Sequence, residues 1–278
     1  MRKIVLVTGL ILSLGLFSLL KLRTDEIPRN TQPGSSIIYL PSGKYLKYAT
    51  LGYDTFFADL IYIWSIQYFS DKAVDNRFDH LEHVYSIIAE LDPHYLDPYQ
   101  IGALIAVYDA RDFDAAFTIL DMGLKNNPGE WIFPWQAGHY AQINLKNYQL
   151  AKKYYRKALN IEGAPDMTER LIANALYETG DYQTAWENWM EIYQNSESER
   201  IKNIASNHLY RTKAAMDIQK LEKALKEYKK TYGRFPDKLE RLVQAGLADM
   251  IPKDLDGREY DYDPQTGEVR TPVSPWKR

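Results

Sequence analysis

Apolar and small residues in the middle of the chain recur at intervals of three and four, and the whole pattern repeats after a fixed distance. Asp112-Phe113-Asp114-Ala115-Ala116, Asn147-Tyr148-Gln149-Leu150-Ala151 and Asp181-Tyr182-Gln183-Thr184-Ala185 place an Asn or Asp, an aromatic and an Ala at matching offsets. Their Ala positions, Ala116, Ala151 and Ala185, are 35 and 34 residues apart. A large residue follows at the fourth position and a small or aliphatic one at the seventh: Leu120 and Gly123, Tyr155 and Ala158, Trp189 and Ile192. Spacing of i, i+4, i+7 defines one face of a helix. Pro128 and Pro165 close two of these units. Phe78, Leu81, Tyr85, Ile88 and Pro93 repeat the pattern one interval earlier. A helix from Asp54 to Phe69, then a loop around Asp71 to Asn76, would complete that first unit. One pair of helices cannot hide its own apolar stripe, so a period near 34 predicts helix–turn–helix units stacked on one another.

The unit running from Ile132 to Pro165 carries Trp135, Gly138, Tyr148, Ala151, Tyr155 and Ala158. In these residues it resembles the tetratricopeptide repeats, and the resemblance extends over roughly residues 55–195. Leu104 and Leu120 depart from that family's pattern, which has a small residue and an aromatic there. The resemblance implies an all-α, right-handed tetratricopeptide-type solenoid of about four units over residues 53–196. Gly138, Ala151, Ala158 and Ala185 are the expected close approaches between helices, and Tyr155, Trp189 and Leu120 the expected fillers. In this family the inner groove is lined by the first helix of each unit. That places Ile105, Tyr108, Gln136, Tyr140, Arg170, Asn174 and Tyr177 on the concave side as the expected partner-binding residues. Tyr suits such a groove because it offers area and a hydrogen bond at low entropic cost.

At the N-terminus, Met1-Arg2-Lys3 precedes an apolar run from Ile4 to Leu20, followed by Lys21 and Arg23. Seventeen apolar residues is the short end of a bilayer span, and snorkelling basic residues extend it. No small-x-small cleavage site follows, so residues 1–23 are expected to form an uncleaved single-pass anchor in the cytoplasmic membrane, with the bulk on the extracytoplasmic or periplasmic side. Pro28, Pro33, Gly34, Ser35, Ser36 and Pro41 make residues 24–52 an expected extended linker.

Residues 197–232 contain neither Gly nor Pro and predict capping helices in two segments that break near Asp217. Over residues 233–278, Gly233 and Pro236 punctuate, a short helix spans about 237–245, and two short strands, 259–262 and 269–272, form a β-hairpin. The series Tyr228, Gly233, Phe235-Pro236, Leu239, Leu242, Gly246, Ile251-Pro252, Asp254, Gly257, Tyr260, Tyr262 and Gly267 is similar to the C-terminal region of the pseudopilins of type II secretion. That resemblance implies a shared small fold and an envelope setting. The apolar N-terminal run lacks the acidic residue and processing site of that family.

A formal net charge of −3 over 278 residues gives no basic surface for nucleic acid. With no cysteine, disulfides, thiol catalysis and cysteine-based metal sites are excluded. His80 and His83 share a helical face but lack a third ligand nearby in sequence. Asp254, Asp256, Asp261 and Asp263 lie close together, yet Thr266 and Pro272 stand where a calcium loop needs Gly and Glu. Phosphate loops, nucleophile elbows and paired catalytic carboxylates are absent. The expected function is therefore that of a membrane-anchored scaffold binding an envelope protein in its groove, with no metal and no cofactor. The alternative is an enzyme or metal-dependent module in the C-terminal part.

Overall fold

The computed structural model describes residues 2–25, with side chains from 9 to 23, and residues 40–274. It is mainly helical, with twelve α-helices and one two-stranded sheet among the described residues. These are α1 (Arg2–Asp25), α2 (Gly43–Ala49), α3 (Asp54–Ser70), α4 (Leu81–Leu91), α5 (Leu96–Ile105), α6 (Phe113–Asn126), α7 (Ile132–Ile143), α8 (Tyr148–Leu159), α9 (Met167–Glu178), α10 (Tyr182–Asn195), α11 (Glu199–Tyr232) and α12 (Glu240–Gln244). Strands β1 (Asp261–Tyr262) and β2 (Val269–Arg270) pair antiparallel, Asp261 opposite Arg270 and Tyr262 opposite Val269. From α3 to α11 each helix packs on its successor in the chain.

The recurring Asn/Asp–aromatic–Ala motif has a local physical cause. Asp112 and Asn147 stand just before α6 and α8, and their side-chain oxygens accept the backbone N–H of Ala115 at 2.9 Å and Leu150 at 3.0 Å. Each thereby satisfies one of the amides a helix start leaves without a partner. The residue before each cap, Arg111, Lys146 or Gly180, has a left-handed φ of 58°, 53° or 79°. That conformation turns the chain back sharply enough to begin the next helix. The repeat is thus present in the backbone as well as in the side chains. Ala116, Ala151 and Ala185, four residues past each cap, are fully buried.

Glycines let neighbouring helices meet closely: Gly102 against Tyr85, Gly123 against Phe133, and Gly138 against Tyr155. A Cβ on Gly138 of α7 would lie 2.7 Å from the Tyr155 ring of α8, so only a glycine lets that ring sit flat against the backbone. The main core joins α3 to α8 through Tyr85, Ile87, Ile88, Tyr99, Ile119, Leu120 and Phe133. Smaller clusters follow around Tyr155, Ile172 and Leu176, and around Trp189, Ala205 and Leu209.

Several expectations are corrected. Among the described residues no helix is long and apolar enough to cross a membrane. Along α1, Gly9, Ser13, Gly15 and Ser18 interrupt the described apolar side chains, which end at Lys21 and Arg23. This overturns the single-pass anchor and with it the placement in the cytoplasmic membrane; the side chains of Ile4 to Thr8 lie outside the described residues. Residues 43–49, expected as extended linker, form α2, which packs on α4 and donates its Lys44 N–H to Glu90 Oε2 at 2.8 Å. The rest of that linker, 26–39, and the last four residues of the tail lie outside the described residues.

Helix α11 does not break at Asp217. That carboxylate is buried, pairs with Lys213 one turn earlier, and accepts the Tyr260 hydroxyl at 2.9 Å. A polar residue supplied with partners need not interrupt a helix. The tail folds onto the second half of α11 through Leu221, Leu225, Leu239, Leu242, Tyr260 and Val269. Its short helix and hairpin are present, each shorter than expected.

Candidate functional site

The seven expected groove residues fall into three places. Ile105, at the end of α5, is buried in the main core. Beyond it the chain makes one π-helical turn, Ala106–Ala110, which leaves Tyr108 exposed. The Tyr108 ring stands edge-on to Tyr140 of α7, centroids 6.0 Å apart. Tyr140 is buried, and its hydroxyl accepts from Gln136 Nε2 at 2.6 Å; the same amide nitrogen reaches the Gln100 carbonyl at 3.3 Å. Gln136 Oε1 is buried and makes no hydrogen bond. Tyr108, Gln136 and Tyr140 thus form one group, with Tyr108 as its accessible member.

Arg170 and Asn174 form the second place. They lie one turn apart on α9 and line a cavity of about 220 Å³ with Met167, Leu171, Trp189 of α10, and Ile204 and His208 of α11. Arg170 also borders an adjoining cavity of about 390 Å³, whose walls include Asn195, Ser196 and Ser198. Among the described residues no ion pair involves Arg170. Trp189 is 1% exposed, and its indole N–H has no acceptor. His208 stacks on that indole at 4.0 Å, with 7° between the planes. The cavity therefore offers one cation, one amide and an apolar lining, with the buried Trp189 and its stacked His208 in its wall.

Tyr177 occupies the third place. The Arg211 guanidinium lies 3.8 Å over its ring and donates to Glu178 Oε1 at 2.9 Å, while Tyr182 packs against it at 5.2 Å. Its ring belongs to the packing between α9, α10 and α11. Sequence reasoning identified Trp189 only as filler and missed His208. The signal was a lone histidine on the apolar side of a long helix, which without the α10 contact reads as ordinary packing.

His208 makes the site sensitive to acid. Burial first, and then the nearby Arg211 charge, lower its pKa from 6.5 to about 4. Since the unfolded chain takes up this proton near pH 6.5 and the folded chain only near 4, the stabilising contribution is complete above pH 6.5. It is lost progressively as the pH falls towards 4. His208→Phe, which keeps a ring on Trp189, should flatten the melting temperature over that window. An unchanged slope would mean that His208 is not buried against the indole.

The remaining candidates resolve into structure. His83 Nε2 meets the Leu40 carbonyl at 2.8 Å, and His80 stands at the start of α4. Asp254 accepts the backbone N–H groups of Asp256 and Arg258 and the Tyr210 hydroxyl. Asp263 accepts from Gln265 N–H and the Thr266 hydroxyl, both within its own turn. Among the described residues no group of three or more His, Asp or Glu is placed to hold a metal ion. No protein-family model matches the chain, and no curated protein matches it either.

Proposed function

We propose that the helices from α3 to α11 form a right-handed tetratricopeptide-type solenoid whose α5–α7–α9–α11 side binds a segment of another protein. The reading is carried by one observation. Arg170 and Asn174, selected from the repeat register and the resemblance to a family whose first helices line the groove, border the same cavity together with Trp189 and His208. The cation and the amide add directional contacts, and Met167, Leu171 and Ile204 supply apolar area for a side chain. The left-handed residue and N-cap that recur at the repeat interval support the solenoid part of the proposal. For the tail, a short helix followed by a two-stranded hairpin on α11 supports a fold shared with the pseudopilin C-terminal region.

The test is comparative recovery of binding proteins by immobilised full-length chain. Tyr108→Ala, Arg170→Ala and Asn174→Ala together should weaken recovery of a specific partner at least tenfold, because interface anchors each contribute upward of about 1 kcal/mol. All three side chains are at least partly accessible, so circular dichroism should be unaltered. Lys152→Ala with Lys153→Ala, on the second helix of a unit, should change little. If the lysine variant loses the partner and the groove variant keeps it, the binding face is the other one.

A further inference from the structure

The stack of helices ends differently on its two sides. At the C-terminal end the tail covers α11. At the other end α3 turns Ala58, Ser65 and Phe69 inward and packs on α4. Its opposite side carries Phe56, Leu60, Ile63 and Gln67, with Tyr53 just before the helix as its N-cap, at intervals of three, four, three and four. Tyr53, Phe56, Leu60 and Ile63 are 46–69% exposed, and Phe57 and Ile66 flank them, also exposed. A helical stack that ends in water normally presents a polar outer face. This one presents a continuous apolar seam.

We infer that this face of α3 is a homodimer interface, in which α3 packs antiparallel on α3 of a second copy about a two-fold axis at Leu60. The alternation of three and four is the spacing by which one helix meets another along a seam. The seam also reads nearly the same from either end. Tyr53 and Gln67 lie seven residues to each side of Leu60, while Phe56 and Ile63 lie four before it and three after. On reversal Leu60 meets its own copy, Phe56 meets Ile63, and the Tyr53 hydroxyl meets the Gln67 amide. Antiparallel alignment sets the helix dipoles in opposition, which favours it over the parallel arrangement. With aromatic side chains contributing on the order of 150–250 Å² each, the exposed fractions amount to roughly 550 Å² a side. The pair would bury about 1,100 Å², just past the ~1,000 Å² expected of a specific interface. Helix α1 is a poorer occupant. Leu10, Ile11, Leu12 and Leu14 are all exposed, so it is apolar on every side and has no single seam to match α3.

Because the chain has no cysteine, single introduced thiols test the geometry directly in the full-length protein. Leu60→Cys should yield a disulfide-linked dimer under mild oxidation. Tyr53→Cys alone should not, since its two copies would stand about 21 Å apart along the axis. Chains carrying Tyr53→Cys mixed with chains carrying Gln67→Cys should cross-link. In sedimentation velocity the native chain should be dimeric, and Leu60→Glu, an exposed substitution that leaves the core intact, should raise the dissociation constant at least about 100-fold. Cross-linking of Tyr53→Cys to itself, or a dimer indifferent to Leu60→Glu, would overturn the proposal. So would a monomeric native chain that binds mixed zwitterionic and anionic phospholipid vesicles through Leu60, which would assign the face to a lipid surface.

Discussion

Gly138→Val should lower the melting temperature by roughly 5–10 °C while leaving the chain helical below the transition. The substituted Cβ would lie 2.7 Å from two carbons of the Tyr155 ring, closer than packed carbons tolerate. The ring has little freedom to withdraw. Tyr155 is fully buried, and its hydroxyl donates to Gln142 Oε1 at 2.9 Å, which fixes its far end. Helices α7 and α8 must therefore separate, and overpacking of this kind costs about 1–3 kcal/mol, with the two γ-methyls adding to the strain. In a chain of this size each kcal/mol shifts the transition by about 2–4 °C. Ala151→Trp, at a fully buried position in the same cluster, should act in the same direction. Gly129→Ala is the control, because its added methyl meets nothing within 4 Å. Thermal melting followed by circular dichroism decides the matter: an unchanged transition for Gly138→Val would mean that α7 and α8 do not meet at this glycine.

Asp254→Ala should release the tail from α11 and cost about 3–5 kcal/mol locally. One oxygen of this carboxylate accepts the Asp256 and Arg258 N–H groups at 2.9 and 2.8 Å, and the other accepts the Tyr210 hydroxyl at 2.8 Å. Arg258 lies 3.6 Å away. Removing the anion leaves three donors without their acceptor, each at a cost of about 1–3 kcal/mol, while Arg258 keeps its ion pair with Asp256 at 3.0 Å. Amide hydrogen exchange should rise throughout residues 247–270 and remain unchanged in α7 to α9. Asp254→Asn, which keeps an oxygen acceptor, should recover part of the protection. Equal protection in the Ala variant would mean that apolar contacts alone hold the tail.

Acid should mimic that substitution. Burial alone would raise the Asp254 pKa, but the hydrogen bonds from Arg258 N–H, the Tyr210 hydroxyl and Asp256 N–H, with the Arg258 charge, bring it below 3.8. As the pH falls the unfolded carboxyl takes its proton first. The stability from this group is therefore present above about pH 4 and is lost as the pH descends through the lower folded value. Two acid-sensitive groups thus act in succession, His208 between pH 6.5 and 4 and Asp254 below that.

The sequence by itself determined the helices from α3 to α10 and the interval at which their motifs recur, though not α2 or the unbroken course of α11. Capping, left-handed turns and i, i+4, i+7 spacing act within a few residues, so Asp112 with Ala115, or Ala151 with Tyr155, can be read without knowing any neighbour. The tail hairpin was legible for the same reason, because its turns at Asp256-Gly257 and Gln265 to Gly267 are local. Tertiary structure decided how each apolar or polar side chain is satisfied, since that depends on groups distant in the chain. Asp217 looked like a helix break until Tyr260, 43 residues later, supplied its hydrogen bond. The sequence placed Tyr177 and Tyr140 on the groove side but could not show that Arg211 lies over one ring and that Gln136 bonds to the buried hydroxyl of the other. Arg170 and Asn174 were visible as candidates. The cavity beside them needed Trp189 from α10 and His208 from α11, because periodicity shows which side of a helix seeks cover and not which side chains arrive to provide it.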